Sequence, residues 1–138
     1  MKSTKLAALA LTASALIALS GCAGTDGQSK ADACRTIASA DKKANSADAS
    51  SVDGIQEIID AYSGVKSKVT NKDVKVALNR SISALEKSKE MLNDSTAALE
   101  KAKDQLASGG EVDEYVAPTE EEISKMTDDA EALSKACS

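Results

Sequence analysis

Leu78, Leu85, Leu92, Leu99 and Leu106 recur every seven residues without a miss. Seven residues make two helical turns, so a chain that keeps this interval is committed to one long helix with a single apolar seam. The residues three further on, Ser81, Ser88, Ser95 and Ala102, are small, as mostly are those just before each leucine, Ala77, Ala84, Met91 and Ala98. Small side chains let helices approach closely, so the seam suits an antiparallel alanine-type coiled coil more than a parallel zipper with branched residues at both core positions. Two kinds of partner satisfy it: other helices of the same chain, giving a monomeric bundle, or a second copy, giving a dimer through the five leucines. The bundle is the first expectation. At ~1.5 Å per residue the helix is about 50 Å long. It is nearly twice its neighbours, so it either overhangs them or breaks near Asn93-Asp94-Ser95.

The neighbours are shorter. Ala31 to about Ala47 carries a narrow stripe of Ala31, Cys34, Ile37, Ala38 and Ala44. Ser46 to Ser51 lacks a large apolar residue and reads as a connection. A second helix opens after Ser51, with Ile55, Ile58, Ile59, Tyr62, Val65 and Val69 on one face. Gly54 and Gly64 each cost it about 1 kcal/mol relative to Ala. Thr70-Asn71-Lys72-Asp73 ends it and caps the next helix. Gly109-Gly110 stops the long helix. Thr119 with Glu122 has capping-box spacing and opens a last helix whose apolar positions are Ile123, Met126, Ala130, Leu133 and Cys137. The expected fold is therefore all-α, an up-down four-helix bundle with one long third helix.

Its core is thin. The chain has no Phe, Trp or His and one Pro, and Leu, Ile and Val make up roughly a sixth of residues 22–138, below the ~20% of an ordinary globular core. Helical periodicity and abundant Ala favour a close-packed helical domain over disorder.

The N-terminus specifies location. Lys2 and Lys5 precede a charge-free apolar run from Leu6 to Leu19. That run is too short to cross a bilayer, which takes about 20 residues, and has the layout of a cleaved export signal. Leu19-Ser20-Gly21-Cys22 resembles the lipobox of bacterial lipoproteins. The resemblance implies that residues 1–21 are removed and that Cys22 carries diacylglycerol, with or without an N-acyl chain. Each buried CH₂ contributes about 0.8 kcal/mol, so two chains anchor stably. Residues 22–30, small and polar after the cysteine, then form a flexible tether, and residues 31–138 form the helical domain at the extracytoplasmic face of the cell membrane.

Cys34 and Cys137 remain. Each falls in register with the apolar stripe of its helix, and the start of the first helix and the end of the fourth share one end of an up-down bundle. In an exported chain the two are expected to form a disulfide. With that pair, the chain is similar to the small helical lipoproteins of high-GC Gram-positive bacteria.

Removing residues 1–21 takes away two lysines and no acid, so the net charge falls from -5 to -7. Such a surface argues against nucleic acid and against a second, electrostatic hold on anionic lipid. Lys and Glu interleave, as in Glu86-Lys87-Ser88-Lys89-Glu90, which reads as a solvated helix face. Asp113-Glu114, Glu120-Glu121-Glu122 and Asp128-Asp129 lack the order of a calcium loop. No metal, no cofactor beyond the acyl chains and no catalytic constellation is expected. The acidic loop from Glu111 to Pro118 holds Val112, Tyr115 and Val116, which either plug the open end of the bundle or form an interaction patch. Three functions fit: a non-enzymatic lipoprotein whose helices bind an envelope protein, a small-ligand carrier with its site between helices, and a prophage superinfection-exclusion lipoprotein.

Overall fold

The computed structural model describes residues 27–113 and 115–138. Cys22 and the signal segment lie outside them. The order is α1 (Lys30–Ala44), α2 (Val52–Ser63), a short 3₁₀ turn (Lys66–Lys68), α3 (Lys72–Ala107) and α4 (Glu120–Cys137). The described residues are helix and loop without a strand, and the four helices pack against one another.

Each helix starts where a short polar side chain satisfies a free backbone N–H. Ser29, Ser51, Asn71 and Thr119 accept from Asp32, Gly54, Val74 and Glu122 respectively. Such a cap contributes about 1 kcal/mol. At Thr119 the capping box is complete: Glu122 Oε2 accepts from the Thr119 N–H at 2.9 Å. Each first turn also carries an acid at the positive end of the helix dipole, from Asp32 and Asp53 to Asp73 and Glu120.

Two boundaries and one helix face differ from the sequence reading. The tether does not run to residue 30, because Gln28 clasps the domain. Its N–H donates to Thr70 Oγ1 at 3.2 Å, its Oε1 accepts from the Thr70 N–H at 3.0 Å, and its carbonyl accepts from Asn71 Nδ2 at 3.3 Å. The second helix ends at Ser63 instead of reaching Val69. The chain must turn there so that Thr70 can meet Gln28; Val65 and Val69 flank the 3₁₀ turn and are buried all the same. On α1 the buried stripe is Ala33, Cys34, Ile37 and Ala40, while Ala38 is exposed. Cys34 stands at the edge of that stripe, and Ala38 lies one step further round the helix, outside it.

The core centres on Leu78, Val69 and Val74, all fully buried, with Ile37, Ile55, Ile59, Ile82 and Leu133 around them. Alanines at 33, 40 and 77 fill the closest approaches. Ser81, also buried, donates to the α4 carbonyls of Asp129 and Ala130 at 3.1 and 3.3 Å. A small hydroxyl at that seam position therefore keeps α4 close and satisfies its own polarity. Among the described residues, no buried side-chain nitrogen or oxygen lacks a partner. Cys34 and Cys137 form a disulfide, with Cα atoms 5.6 Å apart across a sequence separation of 103. Beside it Lys30 Nζ donates to the Ser138 carbonyl at 3.3 Å.

The link between α1 and α2 is a built turn. Asp48 Oδ1 accepts from the N–H and hydroxyl of Ser50, and its carbonyl accepts from the Ser51 N–H at 3.1 Å. The Ser50 bonds hold the Asp48 carboxyl below the usual carboxylate range. Gly54 passes so close that a Cβ would fall onto the Asp48 backbone carbonyl. Its cost to helix propensity is thus the cost of fitting the turn. Further along, the Tyr62 hydroxyl donates to Asp41 Oδ1 at 2.8 Å, joining α2 to α1.

Two outcomes follow. Gly54→Ala should destabilise by about 2 kcal/mol through overpacking, where helix propensity alone gives a gain of about 1 kcal/mol; the sign of the urea-midpoint shift decides. Tyr62 is pushed above the ordinary tyrosine range by burial and then by Asp41. The folded state therefore holds this proton more tightly than the unfolded chain. The resulting stability is intact below the unfolded value of about 10 and lost as pH rises beyond it. In a Tyr115→Phe variant, where Tyr62 is the sole tyrosine of the two, phenolate absorbance should appear only above the ordinary range; titration at the free-tyrosine value would contradict the buried pair.

Candidate functional site

α3 has 36 residues against 15, 12 and 18 in α1, α2 and α4. It does not break at Asn93-Asp94-Ser95, so it overhangs its neighbours. The leucine seam shows where cover ends. Leu78 is fully buried, Leu85 and Leu92 are partly buried against the core, and Leu99 and Leu106 are 63% and 66% exposed. Leu92 is the last residue of α3 packed on the core.

The chain returns along this overhang. Gly109, at φ 73°, turns it back, and the Gly110 N–H donates to the Gln105 carbonyl at 2.9 Å. Asp113 is then fixed to α3: its Oδ2 meets Lys101 Nζ at 2.6 Å and accepts from Gln105 Nε2 at 3.1 Å, while its N–H donates to Gln105 Oε1 at 3.2 Å. Bonds from Lys101 and Gln105 hold its carboxyl below the usual range. The Tyr115 hydroxyl bonds Ser95 Oγ at 2.8 Å. At the start of α4, the Thr119 cap holds the Glu122 carboxyl below the usual range as well.

These polar ties pin the loop without burying its apolar residues. Val112 and Tyr115 are nearly half exposed and Val116 is 87% exposed. The trio does not plug the end of the bundle, because its polar neighbours take the contact with α3 and turn the valines outward. Ile123, assigned to the buried face of the last helix, is also exposed, since the buried contact of α4 comes later, at Leu133. Among the described residues, seven large apolar side chains are exposed; five of them, Leu99, Leu106, Val112, Tyr115 and Val116, lie on the overhang and its returning loop, while Ile123 sits at the start of α4 beside Lys87 and Ser88.

Two open grooves flank the helices. One of about 460 Å³ between α3 and α4 is lined by Val76, Ala77 and Ala132 with Arg80 and Lys135. Both cations are engaged, Arg80 with Asp129 at 2.7 Å and Lys135 with Glu131 at 3.0 Å. The other, about 360 Å³, lies between Gln56 and Ile59 of α2 and Glu86, Lys89 and Asn93 of α3. Among the described residues no group of three or more His, Cys, Asp or Glu is placed to hold a metal ion. No described helix is long and apolar enough to cross a membrane.

The structure thus brings Cys34 and Cys137 together and places Val112, Tyr115 and Val116 at the same end as Leu99 and Leu106. Cys22 is outside the described residues. What the sequence did not disclose is the Asp113 clasp, whose one signal is an acid eight residues beyond Gln105. No protein-family model matches the chain, no characterised protein matches it in sequence, and no solved structure matches its fold.

The two halves of the seam should respond oppositely to truncation. Leu78→Ala should cost about 3 kcal/mol, and Leu106→Ser should change stability by less than about 0.5 kcal/mol. Denaturant unfolding of the two variants measures both; a large loss at Leu106 would mean that the overhang is covered.

Proposed function

We propose that this chain is a lipid-anchored, extracytoplasmic lipoprotein without enzymatic activity, whose helical domain binds another protein of the cell envelope. In this reading Cys22 bears the acyl chains, residues 1–21 are removed, and the four helices alternate up-down-up-down. The observation that carries the binding role is the overhang, where Leu99, Leu106, Val112, Tyr115 and Val116 are uncovered at one end. Monomeric soluble domains seldom leave large apolar side chains grouped in this way unless something docks there.

Placement supports the same reading. Gln28 is tied to Thr70 and Asn71, at the start of α3, and the uncovered residues lie at its far end. From Lys72 to Leu106 the rise is about 50 Å. Five peptide links separate Cys22 from Gly27 and span at most about 18 Å. A chain anchored at Cys22 therefore holds its base near the bilayer and carries the apolar tip outward.

Cys22→Ala should release the protein from the membrane fraction of expressing cells. Retention of the variant in washed membranes would remove the lipobox reading. For the binding role, crosslinking in intact cells should join the wild-type chain to a specific envelope protein; absence of any such partner would overturn it.

A further inference from the structure

We infer that the overhanging tip is a docking surface for a cationic amphipathic protein segment, one that presents a row of apolar side chains flanked by Lys or Arg. This rests on the protein-binding reading above and specifies its partner. Two features, apolar exposure and charge, converge on one stretch of chain.

Exposure selects the region between Asn93 and Ile123, which holds six of the seven exposed large apolar residues among those described. Charge selects it independently. This stretch has nine acids and two lysines, a net of -7, while the rest of the chain after Gly21 has thirteen acids and thirteen bases. Six of these acids, against both lysines, lie on the overhang and its loop from Asn93 to Thr119, a net of -4, and the other three, Glu120 to Glu122, open α4 beside Lys87. One of its two lysines, Lys101, is already paired with Asp113.

That combination discriminates among occupants. A second copy would bring a further -7 against the first, and like charges at close range cost several kcal/mol. An anionic lipid surface is repelled for the same reason. A cationic partner is drawn to the rim, and apolar side chains at its centre find Leu99 and Leu106, two turns or about 10.5 Å apart along α3. Apolar anchors spaced by two helical turns are the usual mode of recognition by an amphipathic helix.

The test uses the full chain in zwitterionic nanodiscs, with empty nanodiscs as blank. The probe is a two-heptad Leu-Lys amphipathic peptide with a photoreactive leucine; the controls are the same composition scrambled to remove the apolar face, and a Leu-Glu analogue. The Leu-Lys helix should bind and crosslink within residues 93–123. Its affinity should fall about tenfold or more in the Leu99→Ser/Leu106→Ser variant, and also in Glu100→Lys/Asp104→Lys/Glu111→Lys. Raising salt should weaken it, because rim charges are screened. Equal binding of the scrambled peptide, indifference to the leucine variant, crosslinks elsewhere, or no binding would each overturn the inference. So would crosslinks between tips of two copies, which would make the occupant a second chain. Failure here beside a specific envelope partner crosslinked elsewhere on the domain removes the tip chemistry and leaves the binding role. Peptide binding at the tip without a partner in cells does the reverse.

Discussion

The length of α3 is the constraint on which the rest of the structure depends. A helix of 36 residues cannot be covered by neighbours of 12 to 18, so one end of it must be solved by other means. Along its first half the seam is buried conventionally, by α1, α2 and α4 around Leu78. Along its second half the chain supplies only a loop, fastened by Asp113 and Tyr115 to Lys101, Gln105 and Ser95. Polar ties of that kind fix geometry without removing apolar surface from water. The same seven-residue repeat therefore does two different things: it holds the core together up to Leu92 and is presented to solvent beyond it.

The covered half is thin, and its stability is drawn from several modest sources. Alanines and Ser81 let the helices close in where a larger residue would hold them apart. The disulfide joins the start of α1 to the end of α4 across 103 residues, and closing a loop of that order is worth up to about 4.7 kcal/mol in the chain-entropy account. Leu133 is the one buried residue of α4, and the crosslink to α1 and the Arg80 to Asp129 pair with α3 add to its hold on the domain. Gln28 adds a further tie by joining the incoming chain to Thr70 and Asn71 at the start of α3.

Periodicity and capping were legible from residues alone, because both are local. The helix count, the starts at Ser51, Asn71 and Thr119, the stop at Gly109 and the Cys34 to Cys137 pairing follow from spacing and from the two ends of the chain being near each other. Long-range fits were not legible. Gly54 reads as a weak point in a helix until the Asp48 carbonyl is seen against it. Gln28 reads as tether until Thr70 arrives 42 residues later. Ala38 reads as core because it is one turn from Cys34, yet the neighbouring helices meet α1 on the Ala33, Ile37 and Ala40 side. The exposed tip was half legible: Val112, Tyr115 and Val116 stand out by composition, but only the length mismatch of the helices decides that they face water.

Charge sets the terms on which so exposed an apolar seam can be approached. Leu99 and Leu106 continue a repeat that elsewhere in the chain drives helix association, and unmodified they would pair with the same seam of another copy. Concentrating nine acids and two lysines on this stretch, while the remainder after Gly21 balances at thirteen each, sets like charge against like wherever two tips meet. Lys101 does not undo this, since it is spent on Asp113 in holding the loop. The acids divide by role: Asp113 fastens the loop and Glu122 completes the cap of α4, Glu120 and Glu121 stand at the positive end of the α4 dipole, and Glu111 forms none of the loop's fastenings. In the docking proposed for this tip, the acids of the overhang and loop would disfavour the self-contact that the sequence repeat promotes and favour a partner of opposite charge.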